Sequence, residues 1–489
     1  MPERMQKFVS IDRGLAAKRA AKERVQDHRE ILPDFAAEPA AAQASRCEQC
    51  GIAYCHIYCP LHNNIPDWLK LTAEGRLEEA YHLAQETNNF PEICGRICPQ
   101  DRLCEAQWAC TLEQSGHGAV TIGAIERHIG ETAWKEGWVK PRRPEKRTGQ
   151  SIGIVGAGPA GMAAAEELRA FGHEVHLYDR YQRMGGLMSY GIPEFKMEQY
   201  VVARRARLLT DAGITFNGGQ ILGDNLSFNQ LQERHDAIIL AYGAHRPRQL
   251  GLNGEKLAGV IPAMDYLVAS SRAQIGESEA PKINAAGKRV IVIGGGDTAM
   301  DCVRTAVRQG AASVICLYRR NRANMPGSER EVAHAEEEGA IFEWQSQPEA
   351  LSGVPVEIIA SQLESVRRNG AIRTVRAHRT DLVADGDGGR LIPRKKPFSE
   401  FEIAADMVVN ALGFLVDDAG PLTGGRVGMS ERGRVAADRT TRMTAADGVF
   451  VAGDARLGPS LAVHAIREGR ETAAMACRYL EQARAVVSA

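Results

Sequence analysis

The chain has 489 residues, 44% of them apolar and 25% charged, which is more than one hydrophobic core holds and ordinary for about three globular domains. With 60 basic residues against 61 acidic ones the formal net charge is −1, so bulk electrostatics favour neither nucleic acid nor an anionic membrane. No run approaches the ~20 apolar residues of a spanning helix, and "MPERMQKFVSIDRGLAAKRAAKERV" lacks the apolar stretch of a secretory signal, so a cytoplasmic protein is expected.

Residues 1–45 are polar and Ala-rich, and the charge spacing of "AAKRAAKERVQDHREIL" predicts a surface or docking helix. Next, "CEQCGIAYCHIYCP" opens a segment in which eight of the 11 cysteines fall between Cys47 and Cys110. Disulfides are rare in a reducing compartment, so clustered thiols there point to metal or redox chemistry. The spacing is Cys47-x2-Cys50-x4-Cys55-x3-Cys59-Pro, then Cys94-x3-Cys98-Pro, Cys104 and Cys110. It is close to the runs that wrap cubane iron–sulfur clusters. Zinc is the rival, since four-cysteine zinc sites also use x2 pairs. The remaining Cys302, Cys316 and Cys477 sit in apolar contexts and read as core fillers. "IPDWLKLTAEGRLEEAYHLAQET" is helical in pattern, and "KPRRPEKRTGQ" (140–150) is a linker.

Beyond the linker the texture becomes strand–Gly–helix–strand, twice. In "SIGIVGAGPAGMAAAEELRAFGHEVHLYDR" a buried strand runs into Gly156-x-Gly158-x-x-Gly161, with a second strand ending at Asp179. Gly156 permits the turn, Gly158 lets backbone approach a pyrophosphate, Gly161 lets helix pack on strand, and Asp179 can accept ribose hydroxyls. "MGGLMSYGIP" follows, with Gly185 and Gly186 able to lie against a cofactor. The second unit, "RVIVIGGGDTAMDCVRTAVRQGAASVICLYRRNR", repeats the plan through Gly294 and Gly296, with Asp297 and Thr298 opening its helix. Its second strand ends in Arg319 and Arg320, with Arg322 nearby. Guanidinium groups there suit a 2′-phosphate, so NADPH is favoured over NADH.

An acid-ended first unit and a base-ended second suggest a flavin in the first and a nicotinamide in the second. Near the C-terminus "DGVFVAGDARLGPSLAVHAIREGRETAA" reads strand, Gly453-Asp454, turn, helix. Asp454 can bond a polyol chain, and the helix from about Ser460 can aim its positive end at a reduced flavin. If that segment completes the flavin domain, the nicotinamide domain is inserted within it. "ILAYGAHRPR" and "VVNALGF" then mark the crossings. Hydride transfer between stacked rings needs no protein acid or base, so no catalytic side chain is named. A flavin also needs a one-electron outlet, which zinc cannot supply, and this favours iron–sulfur for the cysteines.

These residues resemble the small (beta) subunit of bacterial NADPH-dependent glutamate synthase, from about residue 46 to the C-terminus. The stretches that carry the likeness are "NNIPDWLKLTAEGRLEEAY", "NNFPEICGRICPQDRLCE", "GHGAVTIGAIE", "GGGDTAMDCVRTAVRQGA" and "NMPGSEREVAHAEEEG". Dihydropyrimidine dehydrogenase has a related part with the same layout. The resemblance implies FAD and two 4Fe-4S clusters. One cluster would take Cys47, Cys50, Cys55 and Cys110; the other would take Cys59, Cys98, Cys104 and Glu126, leaving Cys94 a non-ligand. The expected organisation is a helical iron–sulfur domain over 1–145, an FAD-binding domain over 146–280 and 416–489, and an NADPH-binding domain over 281–415. Both dinucleotide domains are Rossmann-type α/β units.

Two departures from the family pattern stand out: "EAQWA" between Cys104 and Cys110 where three residues are usual, and Ala-Tyr-Gly at 241–243 where Ala-Thr-Gly is usual. The implied function is electron input, NADPH to FAD to the clusters to a large (alpha) subunit that makes glutamate from glutamine and 2-oxoglutarate. The chain begins Met-Pro, without an N-terminal cysteine nucleophile, and has no span for a barrel domain, so a partner is expected. Two alternatives stand beside this: a paralogue serving a pyrimidine-reducing partner or ferredoxin, and a non-enzymatic zinc-scaffolded binding protein.

Overall fold

The computed structural model describes residues 5–354, 370–385 and 391–487. After the linker the chain forms β1 (Ser151–Val155), β2 (Glu174–Asp179), β3 (Thr215–Gly218) and β4 (Ala237–Leu240), then the short β5 (Arg246–Pro247). A second series follows as β6 (Val260–Pro262), β7 (Arg289–Ile293), β8 (Ser313–Leu317) and β9 (Ile341–Glu343). Three longer strands come next, β10 (Ser346–Val354), β11 (Ala371–Ala384) and β12 (Leu391–Ala404). The chain ends its strands with β13 (Met407–Asn410), β14 (Phe414–Leu415) and β15 (Val449–Val451).

Two parallel five-stranded sheets result, ordered β15-β4-β1-β2-β3 and β6-β13-β7-β8-β9. Runs such as "AIIL" and "VFV" are buried along their whole length, as strands covered on both faces must be. Because β15 returns to pair with β4, the second sheet is inserted within the first, as expected. Its first strand, β6, pairs with β13, so this sheet begins ahead of the expected boundary at 281. The two crossing segments meet: β5 and β14 pair antiparallel as a two-stranded neck. There the Tyr242 hydroxyl donates to the Asp417 carbonyl, so this departure from the family pattern braces the crossing.

The sequence pattern did not reveal the antiparallel sheet β10-β11-β12. Its Leu351, Ile372, Val375 and Ala377 pack on Ile291, Ile293 and Val408 of the second sheet. The acidic-Gly turn expected at 384–389 lies largely outside the described residues.

In front of these sheets, helices Ile65–Ala73, Leu77–Gln85, Pro91–Ile97 and Ile122–Lys135 enclose buried Trp68, Tyr81, Ile125 and Ile129. Ile65, Trp68, Leu69, Thr72 and Ala73 recur at helical spacing and form one buried face. Glu92 joins this domain to the first dinucleotide unit through a wholly buried ion pair with Arg205, at 2.7 and 2.9 Å. Among the described residues no helix is long and apolar enough to cross a membrane.

The helix expected in "AAKRAAKERVQDHREIL" is a correction: only Ala21–Arg24 is helical, and the segment runs as a strap across the other domains. Tertiary contact overrides propensity there. Arg24 is buried, its Nε 2.8 Å from Glu338 and its Nη2 2.7 Å from Glu337 on the inserted unit. Ile31 N–H bonds the Phe195 carbonyl and His28 meets Gln274, so the strap touches all three parts.

Candidate redox site

At the end of β1 the chain turns through Gly156, at φ 106°, where an added Cβ would lie 2.2 Å from the Ala241 carbonyl oxygen. Gly161 has the tighter constraint: its Cβ would stand 1.8 Å from the Gly156 oxygen, so the first turn of helix Pro159–Phe171 fits only without a side chain. Gly158 is that helix's N-cap, and no side chain caps it, which leaves its leading N–H groups for an anion. Gly185 N–H bonds the Ala157 carbonyl at 2.8 Å, and Gly186 lies against Gly158. Gly453 meets the same helix at Ala160. The structure therefore gathers Gly156, Gly158, Gly161, Gly185, Gly186 and Gly453 into one cradle.

Two acids flank the cradle. Asp179 is buried, and its carboxylate accepts from Ala157 N–H at 2.6 Å and Tyr181 N–H at 2.8 Å. It staples the glycine turn, while each oxygen keeps a second lone pair for a hydroxyl. Burial raises its pKa. Asp454 accepts from the Ser460 hydroxyl at 2.6 Å, and burial pushes it up to about 6.

In the second unit Gly294 follows β7, and Gly296 caps helix Asp297–Arg308 without a side-chain bond. The helix is amphipathic, burying Met300, Cys302, Val303 and Ala306 against the sheet. Thr298 stands at its first turn, half-buried. Asp297 is turned elsewhere: it accepts from Arg102 of the N-terminal domain at 2.6 Å and from Ser328 N–H at 2.9 Å. Arg102 also bonds the Pro326 carbonyl. Arg319 is exposed beyond β8, and half-buried Arg320 carries a buried Nε with no hydrogen-bond partner among the described residues. That orphaned donor at the discriminating position fits a phosphate oxygen. Arg322 is occupied, paired with Glu336 at 2.7 Å.

The cysteines fall into two sets. Cys55 lies within electrostatic reach of Cys47, Cys110 and Cys50, which add to a burial that pushes its thiol up to about 12. Burial likewise lifts Cys47 to about 11, with Cys50 and Cys110 contributing. "EAQWA" does not displace Cys110: a turn through Ala106, whose carbonyl accepts from Ala109 and Cys110 N–H, absorbs the extra length.

The second set faces a cavity whose lining includes Cys59, Cys94, Cys98, Cys104, Glu126 and Asn88. Burial pushes Cys59 up to about 12, aided by Glu126. Cys98 is raised first by a hydrogen bond with Cys94, then by burial, Glu126 and Cys104. Burial raises Cys104, helped by Glu105, Cys59, Glu126 and Cys55, so it stands between the two sets. Glu126 is pushed up to about 8 by burial, against a 2.9 Å hydrogen bond from Asn88. Among the described residues no three His, Cys, Asp or Glu side chains converge as the ligands of a single ion would. No two cysteines are joined in a disulfide. Thiols gathered in this way, with a carboxylate among them, fit a multi-atom cluster, whose iron would displace the protons these thiols hold.

Sequence reasoning missed two participants. Val463, in the first turn of helix Ala462–Val487, lines the second cavity. Asn88 sits at the entrance to helix Pro91–Ile97, where an Asn shortly before a Pro-led helix was a readable turn signal.

Residues 24–138 match the model for dihydropyrimidine dehydrogenase domain II, 4Fe-4S cluster, and residues 150–469 match that for pyridine nucleotide-disulphide oxidoreductases. Fold and site thus define an oxidoreductase of the pyridine nucleotide class with an iron–sulfur domain in front. The chain is 52% identical to the glutamate synthase (NADPH) small chain of Azospirillum brasilense, over 96% of this chain and 95% of that one. It is 40% identical to the corresponding small chain of Escherichia coli K12, over 98% and 100%. The chain belongs to the glutamate synthase small-chain family. Among solved structures, Mycobacterium tuberculosis FprA in complex with NADPH shares the fold, with TM-score 0.56 and 19% identity over 71% of this chain and 86% of that one.

Proposed function

We propose that this chain is the electron-input subunit of a glutamate synthase. NADPH occupies the second unit with Arg319 and Arg320 at its 2′-phosphate, and FAD occupies the glycine cradle with Asp179 and Asp454 at its ribose and polyol hydroxyls. Two 4Fe-4S clusters are held by Cys47, Cys50, Cys55 and Cys110, and by Cys59, Cys98, Cys104 and Glu126. When bound, these groups supply hydride acceptance and one-electron relay. The polypeptide binds them, fixes their spacing and keeps water from the inner set.

One observation carries the reading. Helix Ala462–Val487 begins just past Gly453-Asp454 at the cradle, and its Val463 lines the inner cysteine cavity. Cys104 belongs to the core cluster against which Cys59 and, from the outer set, Cys55 pack. A two-electron donor and one-electron relays thus adjoin through a few side chains.

The outer set also supports a lasting partner subunit. Ile52, Tyr54, Ile57, Tyr58 and Trp108 are exposed around Cys50, Cys55 and Cys110. No Asp, Glu, Lys or Arg occurs from Gln49 to Pro66. Exposed aromatics without charge are the composition of a buried interface centre, whereas a diffusing carrier such as ferredoxin docks by charge steering. A large subunit that makes glutamate from glutamine and 2-oxoglutarate is the partner proposed, in the cytoplasm.

Anaerobic purification should give flavin and about eight irons per chain, and NADPH should bleach the visible spectrum. Artificial acceptors should be reduced, with no glutamate formed until the large subunit is added. A colourless protein holding zinc, or a replete protein that NADPH leaves unbleached, would overturn the reading.

A further inference from the structure

Five donors, Cys59, Cys94, Cys98, Cys104 and Glu126, face the inner cavity, and a four-iron cluster takes four. Cys94 is a serious contender, being 2% exposed and in hydrogen-bond contact with Cys98. Something must decide between its sulfur and the Glu126 carboxylate. Asn88 touches both. Its Nδ2 donates to Glu126 Oε1 at 2.9 Å, and its Oδ1 accepts from the Cys94 thiol at 3.6 Å. Phe90 N–H also donates to Oδ1, at 3.0 Å, which fixes which end of the amide is oxygen. Asn88 is 1% exposed, so bulk solvent does not compete for these bonds.

We propose that Asn88 selects the fourth ligand of the inner cluster, holding Glu126 toward iron and Cys94 away from it. The amide N–H pins one carboxylate oxygen and leaves the other for iron, while the amide oxygen accepts from the Cys94 S–H. Both lone pairs of Oδ1 are then used, by Phe90 and by Cys94. Without the amide, the exchange is a plain ligand substitution. The Cys94 sulfur bonds iron, the iron–oxygen bond to Glu126 breaks, and the thiol proton passes to the released carboxylate, with no change in electron count. Asn88 is a positioning residue, as second-shell partners of metal ligands commonly are.

The inference rests on the proposed cluster ligands, and the test separates the two. Wild-type protein with fewer than about eight irons, or without an inner-cluster EPR signal, sinks that reading. With a replete wild type, Asn88→Ser is the first variant: its hydroxyl can still accept from Phe90 N–H but is too short to hold Glu126 and Cys94. Its reduced EPR spectrum should shift with iron retained. Adding Cys94→Ala should abolish the shift or strip the inner cluster, whereas Cys94→Ala alone should leave spectrum and iron unchanged.

An Asn88→Ser spectrum like wild type, or a shift indifferent to Cys94, overturns the proposal, as does a change from Cys94→Ala alone. Should Asn88→Ser fail to fold, Glu126→Ala decides. With Asn88 still holding Cys94, the inner cluster should lose one iron and show a three-iron signal when oxidised. A four-iron cluster in that variant refutes selection by Asn88.

Discussion

Replacing Arg205 with Leu tests how the iron–sulfur domain is fastened to the flavin unit. Arg205 and Glu92 are both 0% exposed at the side chain, and among the described residues the Glu92 carboxylate forms no ion pair besides its two hydrogen bonds with Arg205. Burial pushes the Glu92 pKa up, but the Arg205 charge and hydrogen bonds outweigh it and hold the carboxyl below its usual range. Removing the arginine strands a buried charge, at a cost of about 3–5 kcal/mol. At about 2–4 °C per kcal/mol that lowers the melting temperature by roughly 10 °C. Glu92 lies two residues before Cys94 on helix Pro91–Ile97, whose C-cap is Cys98, so iron of the inner set should fall with it.

The double variant Arg205→Leu with Glu92→Leu removes both charges and should recover most of the loss. Because Glu92 is depressed, the pair's contribution is complete above the ordinary carboxylate pKa near about 4 and disappears as pH falls through the lower folded value. The gap between wild type and Arg205→Leu should therefore be widest at neutral pH and close on acidification. Thermal melts by circular dichroism at several pH values, with iron assays, give the answer. A single variant melting within about 2 °C of wild type at pH 7, or a double variant no better than the single, would refute the reasoning.

Arg319→Ala combined with Arg320→Ala should raise the KM for NADPH at least about tenfold, at 1.5–3 kcal/mol per charge-assisted bond, with little change for NADH; equal changes would remove the 2′-phosphate role. Gly161→Ala, whose methyl would overlap the Gly156 oxygen, should yield protein with iron but without flavin absorbance. Arg24→Ala should speed proteolysis of the strap yet destabilise by only about 1–3 kcal/mol, because Arg304 and Arg308 still hold Glu338. Glu338 has its pKa lowered to about 2 despite burial, by hydrogen bonds from Arg308 and Arg304. Its contribution should persist above about pH 4.5 and vanish toward pH 2, read as acid unfolding of the inserted unit.

What was legible in the sequence was local. Gly156-x-Gly158-x-x-Gly161 and its partner at Gly294 could be read because a tight turn, a close approach and a helix start fall within a few residues. The cysteines could be grouped only through resemblance, since Cys110 and Glu126 join their sets through the fold of four helices and not through spacing. Asp297 shows the same limit: its position beside a glycine turn suggested a coenzyme contact, whereas Arg102, far away in the chain, takes its carboxylate. The strap failed as a longer helix because backbone groups on either side of Ala21–Arg24 are spent elsewhere: Arg19 N–H bonds the Ile31 carbonyl, and Ile31 N–H bonds that of Phe195. The antiparallel sheet left no signal, for β12 is largely exposed and carries few apolar alternations.

The paired crossings β5 and β14 make the inserted unit a cassette. Arg246–Pro247 lies beside Phe414–Leu415, so the unit's entry and exit are adjacent, and cutting it out would leave two ends ready to rejoin above an undisturbed flavin sheet. The residues proposed to choose the coenzyme, Arg319 and Arg320, lie inside that cassette, while the glycine cradle and the clustered cysteines lie outside it. A graft from a relative with another nucleotide preference would have to match the contacts this unit makes with the rest, among them the Arg24 latch, the Arg102 contact and the Lys196–Asp301 ion pair.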